Sequence, residues 1–261
     1  MTIPATASAP AASSKDKSSP LHSGQSRRHK LGFSITAAMD NYRRPAHMRL
    51  AQEALKLVNM STLTHLLYLH GFRSSPQSAK ARQMADVIDR HFPKLNWWCP
   101  ALPPSPAQAA HLIDKGTRAW PQGHMAVIGS SLGGYYATWL AEQRHCKAVL
   151  INPAVDPARD LSAHIGQHTQ WHSPDDRFFF QPHFIEELRA LQTAELPDPE
   201  RYLTLIATGD EVLDWREMRQ RYQRTQLHII EGSDHGLSDF EQHLPTILQF
   251  LGLRLSKSPL H

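Results

Sequence analysis

Cysteine is scarce. The 261 residues hold two, Cys99 and Cys146. Two thiols cannot build a disulfide framework, and each lies beside an apolar run, so both read as packed thiols in a reducing, cytoplasmic setting. Long apolar runs are also missing. None approaches the ~20 residues that cross a bilayer, so no membrane span is expected. The first residues lack the apolar core of a secretory signal. Positive charge is in short supply outside the N-terminal part. The net charge is +4, yet residues 1–60 hold nine Lys/Arg against three Asp/Glu, leaving 19 against 21 for the rest. The body therefore offers no phosphate-tracking face, and nucleic acid is not an expected partner.

What is present divides into a leader and a regular body. Residues 1–60 read as a disordered, low-complexity leader dominated by Ala, Ser and Pro near its start. Its basic, serine-rich character leaves organelle targeting as an alternative. Residues 46–59 carry Met48, Leu50, Ala51, Ala54, Leu55 and Val58 near helical spacing, which predicts an amphipathic helix. Met60 is an alternative starting residue. The body spans 61–254, long enough to bury a sizeable core, and 255–261 form a tail.

Within the body, short apolar runs rich in branched or aromatic residues recur at 66–69, 97–99, 125–129, 148–152, 202–209 and 226–232. Such runs suit strands buried on both faces. Helical patterns lie between most of them. One opens at Ser75-Pro76, with Ala81, Met84, Val87 and Ile88 on one face. Another opens at Ser105-Pro106-Ala107-Gln108, where serine, proline and glutamine give a start signal. A third covers 135–142. The last carries Phe240, Leu244, Ile247, Leu248 and Leu251. Alternation of strand and helix predicts a three-layer α/β domain with a mainly parallel sheet. Residues 153–200 break the rhythm. They read as a small excursion over the carboxyl edge of the sheet, or as an ordinary surface insertion.

The run Gly129-Ser130-Ser131-Leu132-Gly133 fits G-x-S-x-G between a strand and a helix. In that context Ser131 stands on a sharp turn at a helix N-terminus and reads as a nucleophile. No Lys-Ser/Thr follows the glycines, which argues against a phosphate loop. A serine hydroxyl needs a base, and the base an orienting acid. The chain order Ser, Asp, His expected of this fold points to Asp210, after one late strand, and His235, after the last. Asp214 is the alternative acid, four residues further along the same loop. Asp234 and Asp239 read as turn and helix-cap residues. Two backbone N–H groups are candidates for stabilising an oxyanion. They belong to Leu132, at the start of the elbow helix, and Phe72, in the loop "LHGFRSS" after the first central strand. Trp171, Phe178, Phe179 and Phe180 suit an apolar acyl site or the core.

The segments "LLYLHGFRSSPQSAK", "PALPPSP", "GSSLGGYYATWLAE", "INPAV", "TGDEVLD" and "EGSDH" together resemble the YqiA-type esterases of bacteria. These are small α/β-hydrolases related to the uncharacterised family UPF0227. The resemblance runs from about residue 61 to 253. It implies an α/β-hydrolase fold with a minimal cap and hydrolysis of small carboxylic esters or acyl thioesters. It further implies no metal or cofactor and a triad of Ser131, Asp210 and His235. The chain departs from the family at 1–60 and around 165–185. The same triad serves serine peptidases and acyltransferases, and the fold also serves non-catalytic binding modules. All of these readings stay open at the level of sequence.

Overall fold

The computed structural model describes residues 63–171 and 173–255. The leader, its expected helix at 46–59 and the tail from 256 onward lie outside the described residues. Six strands form one sheet and two more form a hairpin. In chain order they are β1 (His65–Leu69), β2 (Asn96–Trp98), β3 (Met125–Ser130), β4 (Lys147–Ile151), β5 (Gly166–Gln170), β6 (Ser173–Phe180), β7 (Tyr202–Ala207) and β8 (Gln226–Ile230). The helices are α1 (Ala79–His91), α2 (Pro106–Thr117), α3 (Leu132–Arg144), α4 (Pro157–Asp160), α5 (Phe184–Ala190), α6 (Trp215–Arg221) and α7 (Phe240–Leu251).

The six-stranded sheet runs β2-β1-β3-β4-β7-β8, and every pairing is parallel. Alternate side chains of its central strands feed two cores. Leu67, Leu69, Val127 and Leu150 face one layer with α2 and α3, while Leu66, Tyr68, Ile128 and Val149 face the other with α1 and α7. Both faces are covered, which is why these strands show apolar runs rather than polar–apolar alternation. Strand order reverses between β1 and β3. The chain leaves β1 toward one edge and β3 toward the other, so the loops at their carboxyl ends part and open a crevice.

The expected elements are present with shifted ends. Helix α1 begins at Ala79, not beside Ser75-Pro76. There the Ser75 side chain accepts the Gln77 N–H at 3.1 Å and its carbonyl accepts the Ser78 N–H, forming a turn that precedes the helix. Helix α2 begins as its residues predict. Pro106 opens it, and Ser105 Oγ accepts the Gln108 N–H at 3.2 Å. Helix α3 extends beyond 135–142 at both ends. The segment 153–200 is no structureless insertion: it holds α4, a 3-10 turn over Leu161–His164, the antiparallel β5–β6 hairpin and α5.

Candidate active site

Ser131 links the end of β3 to the start of α3 with φ 57° and ψ −123°. A side-chain-bearing residue in that region is strained and persists only where its surroundings hold it. Here they do. The Ser131 N–H donates to the Ile151 carbonyl at 3.0 Å, and its own carbonyl accepts the N–H groups of Gly134 at 2.8 Å and Ala154 at 3.1 Å. The flanking glycines are sterically required. A Cβ on Gly129 would stand 2.2 Å from the Gly133 carbonyl oxygen, and one on Gly133 would stand 2.0 Å from that of Leu69. The turn therefore closes only where strand and helix pass backbone to backbone.

Two loops from further along the chain meet this serine. His235, beyond β8, brings Nε2 to 3.0 Å from Ser131 Oγ, and its Nδ1 lies 2.8 Å from Asp210 Oδ2. The Asp210 side chain is fully buried, and its Oδ1 accepts the N–H groups of Val212 and Leu213 at 2.9 and 2.8 Å. The imidazole thus lies between the buried carboxylate on its Nδ1 side and the serine hydroxyl on its Nε2 side. Asp214, the alternative acid, is engaged elsewhere. It caps α6, its Oδ1 accepting the Arg216 N–H at 2.9 Å.

Asn152 was not singled out from the sequence, yet it ties these loops together. It is completely buried just after β4, with φ 42°. Its Nδ2 donates to the carbonyls of Asp234 and His235, each at 3.1 Å, and its Oδ1 accepts the Ala207 N–H at 2.8 Å. An asparagine ending a buried apolar run was the available signal, because a fully buried amide must find partners. Lys80 of α1 holds the same loop by donating to the Gly236 carbonyl. Burial draws its ammonium down to about 8, against the pull of Asp234 and Asp210.

The loop after β1 closes the other side. His70 is buried, its Nε2 accepts the Leu102 N–H at 3.1 Å, and its Nδ1 lies 3.0 Å from the Gly71 carbonyl. That carbonyl also accepts the Ser74 N–H at 3.2 Å. The Gly71–Phe72 peptide plane is thus held from its oxygen side, which turns the Phe72 N–H the opposite way. A Cβ on Gly71 would lie 3.0 Å from the Ser131 Cβ, so this peptide runs close against the serine. Leu132 is the first residue of α3, where an N–H has no partner within the helix.

These groups face a cleft of about 250 Å³, bordered by Phe72, Leu132, Leu161, Trp171 and Leu213 around Ser131 and His235. Of the four aromatics expected at an acyl site or in the core, Trp171 lines the cleft. Phe180 is buried and Phe178 half-buried, both packing on the Phe72 ring at 5.3 and 5.9 Å between centroids, while Phe179 is half exposed. Among the described residues, no group of three or more His, Cys, Asp or Glu side chains could hold a metal ion. None of their helices is long and apolar enough to cross a membrane.

A parallel sheet covered on both faces, with a serine on a strained strand-to-helix turn at the switch point, defines the α/β-hydrolase fold. Similar solved structures include a putative hydrolase from Agrobacterium vitis S4, 17% identical over 73% of this chain and 90% of that one, with a TM-score of 0.58. Mouse α/β hydrolase domain-containing protein 10 is 14% identical over 72% and 90%, with a TM-score of 0.56. A structure of the metagenome-derived lipolytic enzymes LipS and LipT is 17% identical over 74% and 95%, with a TM-score of 0.53. At such identities the likeness establishes the fold. Residues 65–252 match the model of the uncharacterised protein family UPF0227, and the chain belongs to that family.

Proposed function

We propose that this protein is a serine hydrolase that cleaves small carboxylic esters, acyl thioesters included, by a two-step acyl transfer. Ser131 Oγ attacks the carbonyl carbon while His235 Nε2 takes its proton. Asp210 holds the imidazole in the required tautomer and stabilises the imidazolium. The N–H groups of Phe72 and Leu132 donate to the oxyanion. His235 then protonates the leaving alcohol or thiol as the tetrahedral intermediate collapses to an acyl-enzyme. Water, deprotonated by the same imidazole, releases the acid and restores the serine. The reading needs neither a metal nor a cofactor. The two free cysteines suit a reducing, cytoplasmic setting.

One observation carries this reading: the continuous path from the Ser131 hydroxyl through His235 to the buried Asp210, at 3.0 and 2.8 Å, opening on the cleft. A fluorophosphonate probe tests it, since only an activated serine reacts. Wild-type protein is expected to be labelled and to hydrolyse short 4-nitrophenyl esters. Ser131→Ala is expected to lose labelling and about a millionfold in turnover. A folded wild-type protein that neither takes the label nor turns over any ester or thioester would be a binding module instead.

A further inference from the structure

The cleft carries a charge that ester hydrolysis itself does not use. Arg73 lines it one residue beyond Phe72, and its backbone takes φ 59°. Three contacts with the β5–β6 hairpin hold it there. Its carbonyl accepts the Trp171 N–H at 2.8 Å, its Nε donates to the Thr169 carbonyl at 2.9 Å, and its guanidinium lies 4.0 Å from the centroid of the Trp171 ring. The side chain is thus ordered in advance, and the Nε contact leaves its two terminal amino groups unspent. A planar guanidinium presented this way matches a carboxylate in a paired, forked arrangement.

The surrounding charges sharpen the point. Asp160, which also lines the cleft, is already ion-paired with Arg159 at 2.8 Å, and Arg159 continues to Glu217 at 2.6 Å. Arg201 likewise has Glu142 at 2.9 Å. Arg73 has no carboxylate partner among the described residues, and its stacking ring is 65% exposed at the mouth. A structural tether between loop and hairpin is served by the backbone and Nε contacts. Among the described residues the terminal amino groups have no partner, and they remain for a ligand.

We propose that Arg73 forms an anion subsite, so that the preferred ester carries a carboxylate a few bonds from the scissile carbonyl. The inference deepens the proposed hydrolase reading and rests on it.

Two matched ester pairs test it. Mono-4-nitrophenyl succinate against 4-nitrophenyl butyrate places the charge on the acyl side. 4-Carboxyphenyl butyrate against 4-carbamoylphenyl butyrate places it on the alcohol side. In at least one pair the wild type is expected to favour the anionic ester in kcat/KM. Arg73→Gln should lower that preference about tenfold or more, with Arg73→Lys falling between. Rising salt should erode the wild-type preference without any variant being needed. The ratio within a pair cancels a general loss of activity. Parallel losses for both members of a pair would reduce Arg73 to a structural tether and overturn the inference. So would a wild-type preference that neither salt nor substitution alters. Either result leaves ester hydrolysis standing. Failure of all four esters together with absent probe labelling overturns the hydrolase reading and the inference together.

Discussion

Two aspartates four positions apart show how finely a role depends on local geometry. Asp210 directly follows the turn that ends β7, and its buried carboxylate divides between two loop N–H groups and His235. Asp214 spends its oxygen on the first turn of α6. Substituting asparagine therefore separates them. Asp210→Asn replaces an acceptor-only group by an amide that can support the wrong imidazole tautomer, and turnover is expected to fall about ten-thousandfold. Asparagine caps a helix about as well as aspartate, so Asp214→Asn should leave turnover within about twofold. Steady-state rates of the two purified variants decide the matter, and the reverse ranking would move the acid to Asp214. The order of the three side chains along the chain was legible because each follows a strand-like run. The sequence also pointed to Asp210, directly after Gly209, with Asp214 as the alternative, but which carboxylate meets His235 depends on how that five-residue stretch winds. Asn152 was illegible for a related reason. The three partners of its side chain are Asp234, His235 and Ala207, all far along the chain.

At the level of elements, the approach of α3 to β1 and β3 controls the site. The helix comes so near that a Cβ on Gly133 would run into the backbone of Leu69 and His70. Gly133→Ala adds one methyl group where a carbonyl oxygen already stands, and helix and sheet must separate. A stability loss of about 3 kcal/mol is expected from such overpacking, read as a lower midpoint in urea unfolding. Gly123, where an added Cβ meets nothing within 4 Å, serves as the contrasting position, although its φ of 77° makes alanine there a strain rather than a clash. Sheet strands were easy to find because burial on both faces leaves continuous apolar runs. The β5–β6 hairpin was hidden. It lies against Phe72 in the loop after β1 through Phe178 and Phe180, while Phe179 between them stays half exposed. Three consecutive phenylalanines show no alternation, so the pairing of their strand was not readable from its own residues.

Across the whole molecule, burial of titratable groups sets the response to alkali. The thiols of Cys99 and Cys146 are pushed by burial from 9.0 up to about 12. Burial also raises Tyr68, Tyr135, Tyr136, Tyr202 and Tyr222 above their ordinary 10.0. The unfolded chain gives up these protons at lower pH than the folded one. Their contribution to stability is therefore complete below about pH 9 and is lost as pH rises toward the folded values. Lys80 and Lys147 oppose this: burial lowers both ammonium groups from 10.5, Lys80 to about 8, so their burial weighs least against folding at high pH. Seven groups against two predict a Tm that falls steadily above pH 9, measurable by calorimetry. The tyrosinate absorbance of the five buried rings should rise together with unfolding, not before it. At pH 8 the same burial should leave both thiols inert to iodoacetamide until denaturant is added.

The sequence by itself determined the local quantities: which runs are apolar enough to be buried strands, which residues open helices, and where a serine can stand on a turn that only glycines permit. Those follow from neighbours a few positions apart. Tertiary structure alone decided what distant segments do to one another. It brought Asn152 under the His235 loop, closed the hairpin on Phe72, and left the Arg73 guanidinium in the cleft without a carboxylate among the described residues. The physical reason is that hydrogen-bond partners, burial and uncompensated charge belong to pairs of groups in space, and residues that meet there are scattered along the chain.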